Sequence, residues 1–119
     1  MLPKLEDTAV FMLSDNYKDR FIGEYWQTKI RYERLKRFCD EIEAARVMGV
    51  SEPSHDCPLE LLRDQQAVMG RYLHDLEIRA IIEKVDLKDI FCECKLDYRK
   101  KMVANAVQRI CAAEGLSER

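Results

Sequence analysis

FIGEYWQTKIRYERLKRFCDEI, residues 21–42, decides the fold. Within it Phe21, Tyr25, Thr28, Tyr32, Leu35, Cys39 and Ile42 recur at alternating intervals of three and four. That spacing is the seam of a coiled coil, carried through one uninterrupted, highly charged segment. Ile22, Trp26 and Ile30 form a second apolar stripe beside it. The apolar face is therefore wider than a two-stranded coil needs. The periodicity predicts a helix from Asp15 to about Met48, capped by Ser14 or Asp15 and stopped by Gly49. At 1.5 Å per residue such a helix is about 50 Å long and must pack on a partner to be stable.

Outward from this stretch the partner comes into view. Gly49 to Cys57 carries Pro53, Ser54 and Asp56 and reads as a loop. Pro58 suits the first position of a second helix, which runs to about Lys84. Leu62, Met69, Tyr72 and Leu76 mark its seam, widened by Leu61, Val68, Leu73 and Ala80. Gln65 falls on that seam as a polar residue able to fix register. The expectation is an all-α chain whose centre, residues 15–85, is a long antiparallel, coiled-coil-like hairpin. Residues 1–14 form an arm that docks as a short helix or an extended strap. Residues 86–119 form an added helical segment after a break at Val85–Asp89, with a further kink near Leu96-Asp97 and a stop at Gly115. The width of the first helix's apolar face predicts self-association, most simply as a homodimer.

Composition sets outer bounds. The chain has 119 residues, four glycines, three prolines and 35% charged residues, which suits one helical domain. A net charge of −2 points to neither a bulk nucleic-acid binder nor a DNA mimic. The acidic start, Leu5-Glu6-Asp7, does not read as a secretory signal, and no run is long and apolar enough to span a membrane. The five cysteines, Cys39, Cys57, Cys92, Cys94 and Cys111, are irregularly spaced and read as free thiols of a reducing compartment.

Few residues propose chemistry. Cys92-Glu93-Cys94, with His55, Cys57, His74 and Cys111, has the ligand types for zinc. On a helix, however, positions two apart point about 200° away from each other, so inert thiols and no metal are expected. No phosphate-binding glycine loop, nucleophile elbow or HExxH is present, and the chain reads as a non-enzyme without a cofactor. Two basic clusters remain. Lys29, Arg31, Arg34, Lys36 and Arg37 lie on the first helix, and Lys95, Arg99, Lys100 and Lys101 lie on the last segment. The plain reading is a solvated face with Glu33–Arg37 and Asp97–Lys101 pairs. The functional reading is a site for RNA, DNA or a nucleotide phosphate. Trp26 is either core of the second stripe or an exposed anchor for a partner. The partner-binding set is thus Trp26, Lys29, Arg34, Arg37, Lys95, Arg99, Lys100 and Lys101.

Two stretches carry a resemblance. They are NYKDRFIGEY (residues 16–25) continuing to Tyr32-Glu33-Arg34-Leu35, and CPLELL (57–62) continuing to Met69-Gly70-Arg71-Tyr72-Leu73 and Leu76-Glu77-Ile78-Arg79-Ala80. They resemble a family of small uncharacterised phage and prophage proteins of gut bacteria, related to a small protein of crAss-like phages. The resemblance covers about residues 16–87. It implies a phage origin, an accessory role in the cytoplasm of a bacterial host, and no catalytic residues. The leading functional expectation is a binding protein that inhibits a host defence protein, in the manner of an anti-CRISPR, by occluding a functional surface. The alternatives are an oligomeric sponge for an anionic nucleotide signal and a structural protein associated with nucleic acid.

Overall fold

Asn16, not Ser14 or Asp15, opens the long helix. Its backbone is extended and its side-chain oxygen accepts the Lys18 N–H at 2.8 Å. Ser14 is unavailable as the cap because its hydroxyl donates to Asp19 and accepts the Asn16 N–H. The computed structural model describes residues 1–113. Their order is α1 Leu5–Met12, α2 Tyr17–Met48, α3 Leu59–Glu83, a 3-10 turn Leu87–Phe91 and α4 Glu93–Ala113. No strand occurs among the described residues, and the fold is all-α. Gly115 lies outside the described residues.

Each helix end has a local cause. Gly49 stops α2 in the left-handed conformation at φ 69°, and Val50 donates back to the Ala45 carbonyl at 3.0 Å. Pro58 precedes α3 rather than starting it: its ψ is extended, and its carbonyl accepts the Leu62 N–H. Lys84 ends α3 with the same left-handed turn, at φ 57°, while Val85 donates to Ala80 and buries its side chain. Asp86 then caps the 3-10 turn through the Lys88 N–H. The last break falls at Cys92, earlier than the kink expected at Leu96-Asp97.

α2 and α3 run antiparallel, which the cross-links make plain. Tyr17 meets Glu83, Tyr25 meets Glu77, Tyr72 meets Glu24, and Arg63 meets both Asp40 and Glu43. Cys39, Ile42 and Leu59 fill the loop end, with Leu35, Phe38 and Leu62 around them. Phe21, Ile22, Tyr25, Leu73, Leu76 and Ala80 belong to the main core at the other end. Burial and the hydrogen bond to Glu77 both raise the pKa of Tyr25, so its hydroxyl stays a donor. Gln65 is exposed, not on the seam. The face that α3 buries is centred on Leu73, Leu76 and Ala80, which leaves Leu61, Val68 and Tyr72 largely outside.

The second stripe of α2 is covered by the chain itself. α1 lays Phe11, fully buried, into the core formed with Phe21 and Ile22. Gly23 permits the crossing: a Cβ there would lie 2.8 Å from the Met12 backbone nitrogen and 2.9 Å from the Thr8 carbonyl oxygen. Trp26 packs edge-on against Phe91, and its indole N–H donates to the Leu87 carbonyl at 2.6 Å. Ile30 is buried and lines a hollow that it shares with Leu2 to Glu6. The width of this face therefore does not call for a second chain.

Candidate binding cleft

The turn between α1 and α2 and the side of α4 enclose a cleft of about 570 Å³. Leu13 to Asn16 and Asp19 form one wall. Lys95, Tyr98, Arg99, Met102, Val103, Ala106 and Arg109 form the other, with Cys94 at one end. Their spacing of three and four residues places them on one side of α4. Val103 and Ala106 are half-buried, whereas Tyr98, Met102 and Arg109 stay exposed. From Lys95 to Arg109 the helix advances about 20 Å.

An ion pair closes the floor. Arg99 Nη2 donates to Asp19 Oδ1 at 2.6 Å, and the two side chains are 17% and 10% exposed. Ser14 donates to the other carboxylate oxygen at 2.7 Å. Burial works against ionising Asp19, but the Arg99 and Ser14 hydrogen bonds outweigh it and hold its pKa below the ordinary carboxylate value. The bond to Asp19 raises the pKa of Arg99 in turn. The Arg99 guanidinium also stacks over Phe11 at 4.6 Å, and its Nε is buried without an acceptor. Arg99 is thus a structural tie between α4 and the α1–α2 turn.

The sequence-derived binding set divides between places. Lys95 pairs with Asp89 at 2.8 Å and Lys100 approaches Asp7 at 3.6 Å, so both also brace α4. Lys101 is exposed and has no ion pair among the described residues. On α2, Lys29 pairs with Glu33 and leans over Tyr32, Lys36 pairs with Asp40, and Arg37 pairs with Glu41 rather than Glu33. Arg34 and Arg37 line a more open hollow of about 500 Å³ with Leu2 to Glu6. Trp26 is held inside the fold. The structure brings Lys95 and Arg99 together in the main cleft and adds Tyr98 and Arg109. Tyr98 lies three residues after Lys95 and Arg109 seven after Met102, spacings that set them on the same side of a helix and were the sequence signal for them.

The thiols and imidazoles are dispersed. Cys39, Cys57, Cys92 and Cys94 are free, and no group of three or more His, Cys, Asp or Glu side chains converges among the described residues. His55 instead clasps the hairpin loop. Its Nε2 lies 2.8 Å from Glu52 and its Nδ1 lies 2.6 Å from the Cys57 carbonyl. No described helix is long and apolar enough to cross a membrane.

The family model described as Sequestin matches residues 15–82. The match spans α2 and nearly all of α3; within the cleft it includes Asp15, Asn16 and Asp19 but none of α4. No curated protein and no solved structure matches the chain.

Proposed function

The chain belongs to the Sequestin family, and from that premise we propose that it is a non-catalytic protein that captures a small anionic ligand of the nucleotide class in the α4 cleft. The family's name describes sequestration, which suits a binder. The observation that carries the ligand class is the content of the cleft. Exposed Tyr98 and Met102 offer an apolar surface for a base, and Arg109 stands at one end for phosphate. Aromatic stacking accepts any base, and a cation without a tight partner accepts phosphate. Arg109 has no ion pair among the described residues, which leaves it free for that role.

Held this way, a signal is removed from solution without being altered. The setting we propose is the cytoplasm of a bacterial host, with a phage as the source, in keeping with the sequence resemblance. Thermal-shift measurements with cyclic mononucleotides and cyclic and linear dinucleotides test the reading. At least one is expected to raise Tm in the wild type and to lose its effect in Tyr98→Ala and Arg109→Ala. Equal shifts in all three proteins would place the ligand elsewhere.

A second reading keeps the chain as a blocker of a host defence protein, such as a CRISPR nuclease. It is favoured by Arg31 and Arg34, two α2 cations without ion partners among the described residues. Charge reversal at both positions would then weaken capture of that protein, chiefly by slowing association.

A further inference from the structure

α3 packs chiefly on α2, and the side of α3 that faces away from α2 is exposed among the described residues. Along that side lie Asp64, Val68, Arg71, Asp75, Ile78 and Ile82, all exposed. Val68 and Ile82 are 69% and 72% exposed, and Ile78 is 43% exposed. Three large aliphatic side chains on one exposed helix side are costly to leave in water. The charges among them are also unspent. Asp64, Arg71 and Asp75 form no ion pair among the described residues, although Arg71 and Asp75 are one turn apart.

We propose that this side of α3 is the interface of a homodimer in which two α3 helices pack antiparallel across a two-fold axis level with Leu73. A two-fold interface is self-complementary, so each contact occurs twice. The order of residues along α3 satisfies that condition. In this register Arg71 faces Asp75 of the second copy, and Asp75 faces its Arg71. Val68 faces Ile78 of the second copy on either side of the two ion pairs. Ile82 reaches the turn that carries Leu61 and Asp64. A parallel pairing would instead set Arg71 against Arg71 and Asp75 against Asp75, which repels. Charge complementarity thus selects both the occupant and its direction.

A stable interface removes about 800 Å² from each partner. The interface lies on the opposite side of α3 from α2, so it leaves the α4 cleft open in both copies. The proposal does not depend on what that cleft holds.

Light scattering coupled to gel filtration, with sedimentation equilibrium for the dissociation constant, tests it on the full chain. The wild type is expected at about twice 14.0 kDa. Val68→Glu is expected at the monomer mass, with unchanged helical circular dichroism because the residue is exposed. Arg71→Asp and Asp75→Arg are each expected to weaken the dimer at least about tenfold. The double variant R71D/D75R restores facing opposite charges and is expected to recover most of the loss. A wild type that stays monomeric across micromolar concentrations overturns the proposal. So does a dimer that is indifferent to Val68→Glu, or single charge variants that are not rescued by the double exchange.

Discussion

Replacing Arg99 with methionine removes the tie between α4 and the α1–α2 turn while keeping most of the side-chain volume. It leaves Asp19 charged, 10% exposed, and held by Ser14 alone. Breaking a buried ion pair from one side costs about 3–5 kcal/mol. The surviving Ser14 bond and the partial exposure of Arg99 place this pair near the lower end, at about 3 kcal/mol. For a chain of this size that lowers Tm by about 10–15 °C. The solvated-surface reading of Arg99 instead expects a change within about 0.5 kcal/mol. Differential scanning calorimetry separates the two. The pH dependence adds a sign. The folded pKa of Asp19 is depressed, so its contribution is present above the unfolded value and is lost as pH falls through the folded one. The gap between wild type and Arg99→Met should therefore be full at neutral pH and shrink below about pH 4. Adding Asp19→Asn should recover much of the loss at neutral pH, because the stranded charge is then gone. A Tm change under about 3 °C, or a double variant no better than the single one, would refute the argument.

Gly23→Ala should cost about 1–3 kcal/mol by chemical denaturation, because the added methyl meets the Met12 and Thr8 backbone rather than a movable side chain; an unchanged midpoint would mean that α1 does not cross there. Lys84→Gly should stabilise by roughly 0.5–1 kcal/mol, since relief of the left-handed backbone exceeds the entropy cost of glycine. Both ring nitrogens of His55 face acceptors, and the Glu52 carboxylate, with the Cys57 carbonyl, raises its pKa. Its stabilising effect is therefore complete below the unfolded value and fades as pH rises through the folded one. An NMR titration of the His55 ring should give a midpoint above about 6.5, and Glu52→Gln should lower it; a midpoint at or below the free value would contradict the clasp.

The hairpin was legible because its two helices carry sustained apolar periods and because Gly49, Pro53 and Pro58 mark the turn. The docking of the arm as a short helix was legible in outline from Leu5, Val10, Phe11 and Met12. What covered the Ile22, Trp26 and Ile30 stripe was not. Periodicity shows that a face must be buried but not whether the same chain returns to bury it. Gly23 reads in sequence as a weak helix position, and only the crossing of α1 explains it. The seam drawn through Leu62, Met69, Tyr72 and Leu76, with Gln65 on it, is rotated from the face that packs, which is centred on Leu73, Leu76 and Ala80. Arg99 resembled its neighbours Lys100 and Lys101. Nothing local distinguishes a cation that meets Asp19, eighty positions away in the chain, from one that meets water. The α4 cleft shared that obscurity, since its walls come from the two ends of the described chain.

Sequestration without chemistry is the central claim, and one measurement addresses it directly. The full chain is incubated with the panel nucleotide that gives the largest thermal shift and is passed through gel filtration. The protein fraction is then heated, and the released nucleotide is identified by mass spectrometry. The account predicts a stoichiometric nucleotide of unchanged mass from the wild type and none from Tyr98→Ala. Recovery of a cleaved or modified nucleotide would contradict it, as would a panel in which no nucleotide stays with the protein.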